Sequence, residues 1–335
     1  MKSLKSLTAV VLAFLFFESF ADAQTASDRI VVMISVDGLA AHYFDDPEAE
    51  MPNIRALAAA GARAKSMKSV APTVTWPNHT TLVTGVTPAI HGVLGNNYFD
   101  RATRKKVTLI ADPVYDKDEI VKVPTIYDLA KAKKMKTAAI RWPATRNAKT
   151  LDWTMPDMKW GPTIRKYSTP SLIEECAQRG MVISDKDTDK ESNDEVSTQI
   201  FNYILEQHRP QLALFHLIDV DHTQHAKGPR TPAAYAAVKA ADERVGRVWR
   251  TLEKHFPGKA TLLVVSDHGF SPINKIILPN VALRQAGLLD EKSRTNSVQV
   301  IAQGGAAFVY ILDESRRDEL TEKISRAIGS IEQIA

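Results

Sequence analysis

The sequence has almost no cysteine: Cys176 is the one thiol in 335 residues. A single cysteine excludes an internal disulfide framework. Cys176 lies in Glu-Glu-Cys-Ala-Gln-Arg, in a predicted helix with no motif around it, and reads as a structural residue. Charge is also nearly balanced, with 43 Lys and Arg against 39 Asp and Glu. The formal net charge is +4, with no arginine stripe or basic-aromatic platform, so no specific nucleic-acid binding is expected. Long apolar runs are missing too. The run at 8–17 is about ten residues, too short to cross a bilayer as a helix, and no other stretch approaches that length. No stable membrane span is expected. The run follows Lys2 and Lys5 and precedes Ala21-Asp22-Ala23, which is the basic, apolar, small-x-small order of a secretory signal. Residues 1–23 are therefore expected to be a signal peptide, and 24–335 an exported domain, periplasmic or secreted.

What is present is an ordinary globular composition, 44% hydrophobic and 24% charged. Predicted strands at 30–36, 136–142, 212–218 and 260–265 alternate with predicted helices at 52–60, 79–84, 124–134, 195–208 and 232–255. That alternation implies an α/β fold with a mainly parallel central sheet and helices on both faces. Residues 144–192 are rich in Pro, Lys, Asp and Trp and read as an insertion over one sheet edge. Residues 306–312 and 314–331 read as one more strand and helix.

Three of the apolar runs end on acidic residues. The first runs into Asp37, the second into Asp219 and Asp221 with His222 and His225, the third into Ser266, Asp267 and His268. Ligands of an open α/β sheet collect at the carboxyl ends of its strands. Three strands delivering Asp and His to one edge suit an oxygen- and nitrogen-ligated metal, zinc best. A second feature is Pro72-Thr-Val-Thr-Trp-Pro-Asn-His79. Pro77 suits a first helical turn, which places Thr75 and Trp76 at or beside the N-cap. A helix N-terminus attracts phosphate, and a hydroxyl there beside a divalent cation can act as a nucleophile. Threonine is also a plain capping residue, and on spacing alone Thr73 and Thr80 remain open beside Thr75.

Asp37-Gly38 after a strand, the Pro72–His79 segment, His91-Gly92 followed by Gly95-Asn96, Asp221-x-x-x-His225, and Ser266-Asp267-His268-Gly269 occur in that order. Together they resemble the type I phosphodiesterase/nucleotide pyrophosphatase family of the alkaline phosphatase superfamily. The resemblance implies an alkaline-phosphatase-like fold and two zinc ions. It implies Thr75 as the nucleophile, which also contacts metal, with Asp37, Asp267 and His268 around the zinc nearest that hydroxyl. Asp221 and His225 would hold the second zinc, and Asn96 would donate to a non-bridging phosphate oxygen. The implied chemistry is hydrolysis of a small phosphodiester or nucleotide pyrophosphate through a phospho-threonine intermediate, with metals about 4 Å apart stabilising the entering and leaving oxygens.

The chain departs from the family at one point. The family carries a further zinc-ligand histidine in a Gly-x-His-Gly setting, whereas no histidine follows His268 here. The second zinc is expected to have two protein ligands where three are usual, the chain to be C-terminally incomplete, and its activity to be reduced. Sister activities remain as alternatives: a phosphomonoesterase, a phosphonate hydrolase, or a fragment that only holds metal or phosphate. The segment Ala139-Ile140-Arg141-Trp142-Pro143 lacks the Lys-x-Arg pair of the phosphomonoesterase branch, and Cys176 lacks the context of the sulfatase Cys/Ser-x-Pro-x-Arg motif. Of the other histidines, His79 reads as a brace for the threonine helix, His91 as a packing residue and His216 as a core histidine. His42, His208 and His255 read as surface or helix-end residues. Asp219 and His222 fit either support of the neighbouring ligands or the surface.

Overall fold

Strand runs made mostly of apolar residues call for cover on both sides; here Ile30–Val36 and Leu212–Leu217 are largely buried, while Ala260–Val265 at the sheet edge leaves Leu263 exposed. The computed structural model describes residues 28–110, 115–188, 193–290 and 296–332; the predicted signal segment lies outside them. Its strands are β1 Ile30–Val36, β2 Asn97–Asp100, β3 Lys105–Thr108, β4 Thr137–Ile140, β5 Trp153–Met155, β6 Leu212–Leu217, β7 Ala260–Val265, β8 Val298–Gln303 and β9 Ala306–Ile311. Five of them form one parallel sheet in the order β5-β4-β6-β1-β7. The three runs that end on acids are therefore adjacent, with β1 between β6 and β7.

Alternation along each strand decides which layer a side chain meets. Ile30, Val32, Ile34 and Val36 face one layer, packing with Ile200, Phe201 and Ile204 of helix Asp194–Gln207 and Val238, Val245 and Leu252 of helix Pro232–His255. Met33 faces the other layer with Leu212 and Leu214, against Val83 of helix Thr75–Thr84 and Tyr127 and Ala130 of helix Ile126–Ala132. Ser35 and Asp37 share the parity of Met33. Asp37 is thus aimed toward the layer that contains the Thr75–Thr84 helix.

The expected fold class holds, with three differences in detail. Segment 144–192 is more than an insertion, because Trp153–Met155 within it pairs with β4 as the edge strand of the sheet. Ala306–Ile311 is a strand, but it pairs antiparallel with β8 in a separate hairpin. That hairpin and helices Pro279–Gln285 and Arg317–Gly329 enclose a small second core of Leu283, Leu288, Val298, Leu320 and Ile324. Finally, residues Asp219–Lys227 form a helix that hydropathy did not mark, because its sequence, DVDHTQHAK, is nearly all polar.

Candidate active site

The carboxyl ends of β1 and β7 bring together residues 230 positions apart in sequence. Asp37, Asp267 and His268 each offer a ligand atom within 4.8 Å of the others'. His268 Nε2 stands 3.4 Å from Asp37 Oδ1 and 3.4 Å from Asp267 Oδ2. Both of those oxygens are buried and have no hydrogen-bond partner. The remaining oxygens are satisfied: Asp37 Oδ2 lies 3.0 Å from His216 Nε2, and Asp267 Oδ1 accepts from the Gly38 and His268 N–H groups. On His268, Nδ1 lies 3.0 Å from the Gly269 carbonyl, so Nδ1–H donates and Nε2 carries the lone pair when the ring is neutral.

The electrostatics agree with this geometry. Burial, then the Asp221 carboxylate, raises Asp37 well above the usual carboxylate range. Burial, then Asp37, does the same to Asp267. Burial works against a charged His268, yet Asp267, Asp37 and Asp221 together push it up to about 8. Two buried carboxylates with unpartnered oxygens are costly unless a cation compensates them. The donor set, two carboxylates and an imidazole, suits zinc.

Asp221 and His225 sit one turn apart on the Asp219–Lys227 helix, with His225 Nε2 3.4 Å from Asp221 Oδ1. Asp221 is buried, its Oδ1 lacks a hydrogen-bond partner, and its charge reaches Asp37 and His268. The His225 side chain is 67% exposed and packs edge-to-face on Phe270. Gly38 makes this approach possible. Its φ is +68°, and a Cβ there would come within 3.3 Å of the Asp221 backbone.

Thr75 opens helix Thr75–Thr84 as its first residue, after an N-cap at Val74 that makes no side-chain capping bond. Asn78 folds the preceding loop back onto the helix, accepting from Val70 N–H and donating to the Pro72 and Val74 carbonyls. The missing cap comes from afar: Asn96 Oδ1 accepts from the Trp76 N–H at 2.9 Å, which leaves the Asn96 NH2 as the group free to donate elsewhere. Thr80, open on spacing, gives its hydroxyl to the Trp76 carbonyl of its own helix, and Thr73 is exposed beyond the helix start. His79 links the turn to the acidic cluster, its Nδ1 2.9 Å from the Thr75 carbonyl and 3.5 Å from Asp267 Oδ2. Burial, then His216, holds His79 well below the usual histidine range.

Two residues contribute more than their sequence positions suggest. His216 is a buried strand residue as expected, but its ring joins Asp37 Oδ2 to the Arg141 carbonyl. Register pairs it with Ser35, so strand parity places it beside Asp37; only the pairing of β1 with β6 exposes that. Asp194 caps the Asp219–Lys227 helix, accepting from the Ile218 and Asp219 N–H groups, and burial pushes it up to about 6. Asp219 turns to Arg244 at 3.2 Å, and His222 is exposed. His91 is buried, accepting from Val93 N–H through Nδ1 with Nε2 on the Thr81 hydroxyl, and burial lowers it to about 4. A cavity of about 560 Å³ borders His268 on the opposite layer, lined by Leu39, Phe44, Met51, Leu57 and Trp249 rather than by Thr75 or Asn96.

The profile of a known family, type I phosphodiesterase/nucleotide pyrophosphatase, matches residues 31–332. The chain belongs to this family. A pyrophosphatase/phosphodiesterase of Schizosaccharomyces pombe, itself uncharacterized, is 27% identical over 266 residues, covering 76% of this chain and 47% of the relative. A venom phosphodiesterase of Macrovipera lebetinus is 26% identical over 247 residues, 73% of this chain and 26% of the relative. Ectonucleotide pyrophosphatase/phosphodiesterase family member 3 of Rattus norvegicus is 25% identical, with 71% of this chain and 24% of the relative matched. The chain thus spans about a quarter to a half of the length of these curated relatives. Among solved structures, an inactive murine ectonucleotide pyrophosphatase/phosphodiesterase 5 in complex with AMP shares the fold, with TM-score 0.66, 19% identity, and 91% of this chain and 71% of that one covered. Phosphonoacetate hydrolase from Sinorhizobium meliloti in complex with phosphonoformate also shares it, with TM-score 0.62, 19% identity, and 89% and 73% coverage. No helix among the described residues is long and apolar enough to cross a membrane.

Proposed function

We propose that this chain is a zinc-dependent phosphodiesterase or nucleotide pyrophosphatase, acting outside the cytoplasm, that hydrolyses its substrate through a phospho-threonine intermediate on Thr75. The observation that carries this reading is the pair of buried, unpartnered oxygens on Asp37 and Asp267, each 3.4 Å from His268 Nε2. Family membership supports the reaction class. The apolar run at 8–17 and its flanks support export.

Asp37, Asp267 and His268 would hold one zinc, and Asp221 with His225 the other. When bound, the two cations would supply compensating charge for the entering and leaving oxygens of an in-line displacement. The rest falls to the chain itself. Thr75 is fixed by its place in the first helical turn, where the local N–H groups favour an anionic phosphoryl group. Its hydroxyl gives up its proton to solvent, and its oxygen forms the new bond to phosphorus as the ester or phosphate leaving group departs with the electron pair of the broken P–O bond and takes a proton from solvent where its basicity requires one. Asn96, held through its Oδ1, turns its NH2 toward the phosphoryl oxygens and stabilises charge there. Water then breaks the threonine–phosphorus bond and regenerates the hydroxyl. His216 keeps Asp37 oriented, as an outer partner of a ligating carboxylate does.

Metal content provides the experiment. Asp37, Asp267 and His268 give one ion three protein donors, whereas Asp221 and the largely exposed His225 give the other two. After dialysis the protein is expected to retain about one zinc per chain, with the second regained only at higher free zinc. Atomic absorption measures this, and hydrolysis of bis(p-nitrophenyl) phosphate should rise with the second equivalent and vanish with a chelator. Undiminished hydrolysis by fully metal-stripped protein would sink the proposal. Two ions retained through dialysis would refute the unequal sites.

A further inference from the structure

The small C-terminal core has no residue in the Asp/His cluster, yet it reaches the site at one point. Gln303, the last residue of β8, is 2% exposed. Its Oε1 accepts from the Asn96 N–H at 3.1 Å across 207 positions of sequence, and its Nε2 donates to the Asn97 carbonyl at 2.5 Å. Gly95 leaves room for it, since a Cβ at Gly95 would fall 2.4 Å from Gln303 Oε1. On the other side, the Asn96 carbonyl accepts from the Leu109 N–H at 2.9 Å. The turn after Gln303 also runs near the nucleophile helix, where a Cβ at Gly304 would stand 3.6 Å from Val74, the N-cap residue.

We propose that Gln303 is the positioning residue for Asn96: it fixes the backbone of Asn96 so that the side-chain amide caps Trp76 with its oxygen and presents its NH2 to the substrate phosphoryl group. The inference rests on the reading that Asn96 donates to that group. The physical case is one of constraint. A side-chain amide holds a useful direction only if its own backbone is fixed, and a donor misplaced by about 1 Å loses most of its effect on rate. Asn96 lies in an irregular stretch before β2, where no sheet ladder fixes its N–H. Gln303 supplies that missing bond through a buried amide, which is costly to leave unmade. The C-terminal hairpin thereby becomes part of the catalytic geometry without contributing a reacting atom.

The test is a double-mutant cycle on the zinc-loaded full chain with bis(p-nitrophenyl) phosphate, using Gln303→Leu, Asn96→Ala and the pair. Gln303→Leu is expected to lower kcat by about tenfold or more, with KM and zinc content unchanged. In the Asn96→Ala background it should lower kcat no further. Gln303→Met, which matches glutamine in length and removes the same acceptor and donor, should show the same loss and serves should the leucine variant fold poorly. In parallel, the side-chain NH2 resonance of Asn96, identified by its loss in Asn96→Ala, should shift in Gln303→Leu. An unmoved Asn96 resonance, or an equal loss of kcat with and without Asn96, would overturn the inference while leaving the role of Asn96 standing. Unchanged kcat in Asn96→Ala itself would instead remove the reading beneath it, and the inference with it.

Discussion

Thr75→Ala is expected to lower phosphodiester turnover by about a hundredfold or more while leaving the fold and zinc content in place. The loss is large because the reaction needs an oxygen at that position and no neighbouring hydroxyl can replace it. Thr80 lies a turn further on with its hydroxyl committed to the Trp76 carbonyl, and Thr73 is exposed outside the helix. Stability should change little. Val74 makes no side-chain capping bond and Asn96 already satisfies the Trp76 N–H, so the helix start does not depend on the threonine hydroxyl. Steady-state kinetics together with circular dichroism separate the two effects. Near-normal turnover in a folded Thr75→Ala protein would refute the assignment.

Asp267→Asn is expected to act through the metal and to reveal itself in two opposite signs. Zinc affinity should fall by more than about a hundredfold and activity with it, because one of three donors of the better site loses its charge. The metal-free protein should move the other way. Burial and the proximity of Asp37 already raise Asp267 well above the usual carboxylate range, so the ionised pair opposes folding near neutral pH. The sign follows from linkage: a carboxyl whose folded pKa is raised destabilises the fold as pH rises above its unfolded value. Neutralising it removes that opposition, and metal-free Asp267→Asn should melt above metal-free wild type. Calorimetry with and without zinc measures both. A variant that binds zinc as tightly as wild type would show that Asp267 is no ligand.

The acidic ends of β1, β6 and β7 were legible because unbroken apolar runs announce buried parallel strands and the next polar residues must fall at their carboxyl ends. Their adjacency in the sheet was not legible, since strand order depends on which helices cross which face. Choosing Thr75 over Thr73 and Thr80 needed the family resemblance, because all three lie close to one helix start. The Asp219–Lys227 helix escaped detection because Val220 is its only large apolar residue. The three residues of β5 are too few for any periodicity to show. Gln303 was out of reach for a different reason: its role lies in bonds to Asn96 and Asn97 more than 200 positions away, and nothing in Ala-Gln-Gly-Gly marks it. His216 was legible as a buried histidine, but its hold on Asp37 depends on a strand pairing that hydropathy does not encode.

The most direct measurement of the central claim is mass spectrometry of the zinc-loaded protein, quenched in acid during turnover of bis(p-nitrophenyl) phosphate. With so good a leaving group the first displacement should outrun hydrolysis of the intermediate, so the adduct should accumulate. The account predicts one p-nitrophenyl phosphoryl group on the peptide containing Thr75, absent after chelation and absent in Thr75→Ala. Turnover with the adduct on another residue, or a Thr75→Ala protein that still forms it, would contradict the account.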